Sequence, residues 1–314
     1  MSQGTLGAPP PNGSSVNSVN DSGVYVGSSE LASGITHGYQ NANGALLDLG
    51  GLTPTGSSNA TAINNSGQIT GSAQVAGLNH AFLYSGGAMV DLGTLPLANQ
   101  SYGTALNAGG QVVGYTRSSG SNPYIRAFVY KNGAMVNLGT LPAGYDSYAF
   151  GINTAGQIVG ASGQNTSNID SMHAFLYSSG TMQSIETLSG VSSPYSVAEA
   201  INDSGLVVGT LENSTTGLQY GFVYSNGVLK NLNDITTGLN GLTITGGVAV
   251  TNSNVILALA NDSESVSHTL VLTPDTGGSK AAQVLPPSGR GVAPDRIPRS
   301  QRYPLSPDAP SSRP

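Results

Sequence analysis

Five nine-residue stretches decide the fold: VNDSGVYVG (19–27), INNSGQITG (63–71), LNAGGQVVG (106–114), INTAGQIVG (152–160) and INDSGLVVG (201–209). A sixth copy, VTNSNVILA, occupies 250–258. Each copy reads as strand, tight turn, strand. The Asn at the second position can bond the turn it opens, and the Gly at the fifth supplies a positive φ. In the last copy Asn254 stands where that Gly should be, and Asn is the next most tolerant residue there. The closing residues lie at 27, 71, 114, 160, 209 and 258, so the unit recurs every 43 to 49 residues.

A 16-residue cassette follows each of the first five copies. It reads HGYQNANGALLDLGGL (37–52), HAFLYSGGAMVDLGTL (80–95), RAFVYKNGAMVNLGTL (126–141), HAFLYSSGTMQSIETL (173–188) and YGFVYSNGVLKNLNDI (220–235). Each is an apolar strand, a turn of the Ser/Asn-Gly kind and an alternating strand. The sixth keeps only HTLVLT (268–273). Four short antiparallel strands per unit is the size of a propeller blade, and a closed array leaves no long exposed edges. The expected fold is therefore all-β, a β-propeller of about six four-stranded blades with the last incomplete. The hairpin of small residues is expected inside and the Phe/Tyr/Leu/Met hairpin outside.

Composition agrees. Gly supplies 44 of 314 residues and only 8% are charged, against about 25% in ordinary domains. There is no cysteine, which excludes a disulfide framework and a cysteine metal site. The net charge of −6 argues against a nucleic-acid partner. No apolar run approaches the roughly 20 residues of a membrane span. Three segments are expected: a partial repeat over 1–15, the propeller over 16–273, and a disordered Pro/Arg-rich tail over 274–314. GTLGA (4–8) matches the end of a cassette, as if the chain started inside the repeat.

The pattern H-A-F-L-Y…G-x-M-x-x-L-G-T-L…A-x-A-I-N-x-x-G-x-V-V-G resembles the HAF repeat family of bacterial extracellular repeat proteins. The resemblance covers roughly residues 4–273. It implies secretion or surface display and brings no assigned catalytic residues. The chain departs from it at residues 1–15, which lack the basic and apolar regions of a signal peptide. The export signal is then expected upstream of Met1, the alternative being imperfect closure of the repeats.

His37, His80, His173 and His268 open the third strand of their repeats, with Arg126 and Tyr220 at the same register. This reads as a structural position, and no metal or cofactor is expected. Asp48 and Asp91 share a register with Asn137, Ser184 and Asn231, again a structural reading. Asp21 and Asp203 sit in N-D-S-G turns without the carboxylate density of a calcium loop. No nucleophile elbow, P-loop or zinc-helix motif is present, and the acids are scattered too thinly for paired-carboxylate hydrolysis, so no catalytic residue is named.

Loop lengths are more informative. The turns inside hairpins hold their length, while the connections from second to third strand and from fourth strand to the next repeat vary. In an up-and-down blade both variable connections emerge at one end, and variable loops on a rigid scaffold are where binding resides. The loops 115–125, 142–151, 161–172 and 189–200 carry the candidate ligand-binding residues Arg117, Tyr124, Tyr145, Asp146, Tyr148, Asp170, Tyr195 and Glu199, and Tyr102 is expected on the same face. Tyr115 belongs to the same group of polar aromatics. Tyrosines with scattered Asn and Asp suit a carbohydrate or another surface protein. The sequence thus points to a monomeric, extracellular or cell-surface binding or adhesion module. An extracellular polysaccharide-acting enzyme using the same face is one alternative, and a purely structural repeat protein the other.

Overall fold

The computed structural model describes Leu6 and residues 13–42, 44–119, 123–142, 144–163, 172–274 and 280–285. The first sheet runs in the order β1 (Ser14–Val19), β2 (Tyr25–Glu30), β3 (Thr36–Ala42), β4 (Ala45–Asp48). The second is β5 (Ser58–Ile63), β6 (Ile69–Val75), β7 (Leu78–Ser85), β8 (Ala88–Asp91). The third is β9 (Gln100–Leu106), β10 (Val112–Arg117), β11 (Ile125–Lys131), β12 (Ala134–Gly139). The fourth is β13 (Asp146–Ile152), β14 (Ile158–Gly163), β15 (Met172–Ser178), β16 (Thr181–Ser184), closed by the short helix α1 (Ile185–Ser189). The fifth is β17 (Ser196–Ile201), β18 (Val207–Glu212), β19 (Gln219–Ser225), β20 (Val228–Asn231), followed by α2 (Leu232–Ile235). The sixth combines β21 (Thr236–Thr237), β22 (Thr243–Val250), β23 (Ile256–Asn261), β24 (Ser267–Pro274) and β25 (Lys280–Val284), in the order β21-β25-β24-β23-β22. The fold is all-β, with the six successive four-stranded meanders of a β-propeller.

One expectation is corrected here. The sixth repeat is not short of its fourth strand: β25 pairs antiparallel with β24 from Leu270↔Val284 to Pro274↔Lys280. The segment expected to be disordered from 274 therefore holds a strand; its residues 286–314 lie outside those described. KAAQV carries neither the aromatic nor the Gly of the other cassettes, so the strand is supplied by pairing rather than by motif. At the other end, the backbone N–H of Leu6 donates to Ser29 Oγ at 3.2 Å. Leu141, at the end of a cassette, makes the same bond to Ser162 Oγ three repeats later, so Leu6 stands where a cassette ends.

Two compact units divide the chain, Met1–Thr140 with Ser147–Gly160 and Leu176–Met182, and Leu141–Asp146 with Ala161–Phe175 and Gln183–Pro314. In the first, Phe82 and Phe128 are fully buried among Val26, Ile69, Leu95 and Val112. In the second, Leu232, Ile244, Ile256, Leu270 and Leu272 form one buried cluster.

The nine-residue motif has two jobs. Its Asn closes the turn: Asn64 Oδ1 accepts from the backbone N–H groups of Ser66 and Gln68. The same side chain reaches the next repeat, Nδ2 donating to Asn107 O at 2.9 Å. Asn20 does this to Asn64 O, Asn107 to Asn153 O and, in the second unit, Asn202 to Thr251 O. The fifth-position Gly67 has φ 76, and Asn254 takes the same left-handed conformation at φ 62 as expected. The closing Gly is needed for a different reason. A bulge in the first strand presses its carbonyl inward, so a Cβ on Gly114 would lie 1.9 Å from Tyr102 O. Where Ala258 replaces it, Gly246 and Gly247 stand on the partner strand instead.

Candidate functional site

Within the first unit the constant turns meet one another through the Asn chain, and the variable connections meet at the opposite end. Tyr124 Oη donates to Pro96 O at 2.9 Å, and Asn99 Nδ2 to Ser119 Oγ at 2.7 Å. These bonds tie the fourth-to-first connection at 92–99 to the second-to-third connection at 118–124. In the second unit Ser193 Oγ donates to Glu212 O at 2.7 Å.

At this end β9 and β10 build a cluster on one face of the third sheet. The register pairs Tyr102 with Tyr115 and Gln100 with Arg117, so the four side chains share that face. The Tyr102 and Tyr115 rings stack at 5.0 Å with an interplanar angle of 22°. Tyr148 meets Tyr115 edge-on at 5.1 Å, and Phe150 stacks on Tyr148 at 6.1 Å. Tyr102 Oη donates to Gln100 Oε1 at 2.8 Å and accepts from Asn79 Nδ2 at 3.2 Å. Burial holds the Tyr115 phenol well above its ordinary value, Tyr102 adding to the rise and Arg117 opposing it. Arg117 is half-buried, and among the described residues its guanidinium has neither a hydrogen-bond acceptor nor a carboxylate partner.

The sequence singled out Tyr102, Arg117 and Tyr148, and the structure brings them together around Tyr115. Gln100 and Asn79 were missed; only the strand register could have supplied them. The loop boundaries are corrected: Tyr102, Arg117, Asp146, Tyr148 and Glu199 sit on strands, because pairing extends further toward the connections than the motif does. Tyr148, Tyr195 and Asp146 are buried, so they shape the scaffold more than its surface. Tyr124 is half-buried and carries the Arg126 guanidinium 4.9 Å above its ring. Tyr145 and Glu199 are half-buried and lie in or near the connections of the second unit. Asp170 lies outside the described residues.

The histidines are structural in geometry. His37 Nδ1 lies 2.9 Å from Asp48, His80 Nδ1 2.9 Å from Asp91 and His173 Nδ1 2.9 Å from Glu186. Where His gives way to Arg126 or Tyr220, the acid gives way to Asn137 or Asn231. The same register caps the chain: Asp48, Asp91 and Asn137 accept the N–H of Gly50, Gly93 and Gly139. Ser184 and Asn231 instead cap α1 and α2. Among the described residues no three of His, Asp and Glu converge as a metal site would require. Among them, too, no helix is long and apolar enough to cross a membrane.

No family model matches the chain, and no curated protein matches it. Solved structures similar to it include the lectin of Aleuria aurantia in complex with Fucalpha1-6GlcNAc, at 12% identity and TM-score 0.41 over 88% of this chain and 97% of that one. The propeller domain of the Trilobed protease from Pyrococcus furiosus shares 9% identity, TM-score 0.40, over 89% and 99% of the two chains. A puromycin-hydrolyzing peptidase of Mycobacterium tuberculosis shares 9% identity, TM-score 0.48; the match covers 90% of this chain and 56% of that one. No site residue is carried over from them.

Proposed function

We propose that the chain is a repeat-built binding module of the HAF kind, working outside the cell or on its surface, and that its ligand is a glycan. The observation that carries this reading is Arg117: a cation with no partner among the described residues, standing beside two stacked tyrosines on one sheet face. Aromatic faces receive the C–H surface of a sugar, and a guanidinium and an amide bond its hydroxyl or acidic groups.

A glycan array probed in parallel with the wild-type chain and with Arg117→Ala tests the proposal. Retention of one glycan class by the wild type, weakened about tenfold or more in the variant, supports it; a fold change of ten corresponds to about 1.4 kcal/mol. Retention of no glycan by the wild type overturns it. Release of shorter products from a retained glycan would instead favour the polysaccharide-acting enzyme.

A further inference from the structure

The constant-turn end of the first unit holds a crevice of about 330 Å³, away from the Tyr115 cluster. One wall is Gln111, Val129 and Lys131; the other is the turn at Thr154 with Tyr177 and Ser179. Its volume falls in the range that takes a small ligand, about 300–1,000 Å³. The lining contains no carboxylate. Gln111 Oε1 is already used by Asn107 Nδ2 at 2.8 Å, which leaves the donor end of that amide. Lys131 and Tyr177 have no hydrogen-bond partner among the described residues.

The repeat shows which of these groups belongs to the scaffold. Gln111 recurs as Gln68 and Gln157, and Tyr177 as Tyr84, Tyr130 and Tyr224. Lys131 does not recur: Ser85, Ser178 and Ser225 hold its register. A cation has thus been added at this register, where Lys131 can only donate and the Tyr177 and Ser179 hydroxyls can donate or accept. A ligand that fits offers one negative charge to Lys131 and polar groups to the hydroxyls and the Gln111 amide. A single ammonium matches a single negative charge, and the hydroxyls of Tyr177 and Ser179 can bond alcohol groups, so a singly charged ligand that also carries hydroxyls uses both.

We propose that this crevice binds a carboxylate-bearing sugar, a uronic acid, with its carboxylate on Lys131. The site is separate from the Arg117 cluster, and the two stand or fall independently. Titration of isotopically labelled wild-type chain with glucuronate, glucose and acetate, followed through the backbone amides of Gly156 and Gly180, tests it. Glucuronate should shift both signals in a saturable way, with glucose and acetate each at least about tenfold weaker. Lys131→Ala, at an exposed position, should raise the glucuronate dissociation constant about tenfold, and Lys131→Arg should recover most of it. Arg117→Ala should leave this titration unchanged. The proposal is overturned if glucuronate leaves both signals in place, if glucose or acetate binds equally well, or if Lys131→Ala binds as the wild type does.

Discussion

The side-chain amide of Asn107 donates to the main-chain carbonyl of Asn153 at 3.1 Å, so a residue that closes one repeat's turn also holds the next repeat's turn. The same side chain bonds Gln111 Oε1 through Nδ2 and accepts the N–H groups of Gly109 and Gln111 through Oδ1. One residue type thereby sets local turn geometry and the spacing of neighbouring sheets.

Asn107→Ala should destabilise the chain by about 2–3 kcal/mol, because it leaves buried backbone groups unpaired. Asn107→Asp keeps the Oδ1 acceptor but removes both amide donors, and should cost about 1–2 kcal/mol. Urea midpoints at unchanged slope would show both. A midpoint that does not move would mean that the turn-to-turn bond contributes nothing.

Two glycines of one repeat should behave differently. Gly114→Ala forces a Cβ to 1.9 Å from Tyr102 O and should cost at least about 3 kcal/mol, since the bulged backbone must move. Gly109→Ala meets its nearest atom, Asn107 Oδ1, only at 3.4 Å and should stay within about 0.5 kcal/mol. Thermal or urea melts of the two variants make the comparison. Equal effects would contradict the bulge explanation.

In the fourth repeat the Glu186 carboxylate bridges His173 Nδ1 and Ser196 Oγ. The hydrogen bond to Glu186 is the main cause that raises the His173 pKa above its ordinary value of 6.5; burial opposes it, and the charge of Glu186 adds to it. A raised folded-state pKa means that this stability is fully present below pH 6.5 and is lost as pH rises through the folded value. His173→Gln should therefore be more destabilising at pH 5.5 than at pH 8.5. Urea midpoints of both proteins at the two pH values give the answer; an effect larger at pH 8.5 would reverse the assignment.

The repeat was legible because its signals are local. Asn64 and Gly67 state the turn, and Ala81 with Phe82 states the strand. What stayed hidden depends on register between strands. Ser58, Ser101 and Ser147 each accept a backbone N–H from the preceding repeat's third strand and donate to its cassette Gly carbonyl. In a chain this rich in Ser, a buried staple and a solvated Ser look alike in sequence. The strand at 280–284 was missed because its residues carry no motif and are recruited by β24. The site was half legible: Tyr102, Arg117 and Tyr148 are conspicuous residue types, but their meeting at Tyr115 follows from a bulge that only pairing reveals.

The central claim is that ligand binds on the face formed by Tyr102, Tyr115 and Arg117. Hydrogen–deuterium exchange of the wild-type chain, with and without a glycan retained on the array, tests it most directly. The account predicts slowed exchange over 100–104 and 113–119, lost again in Arg117→Ala at the same glycan concentration. Protection confined to other segments, or protection at 113–119 that survives Arg117→Ala, would contradict it.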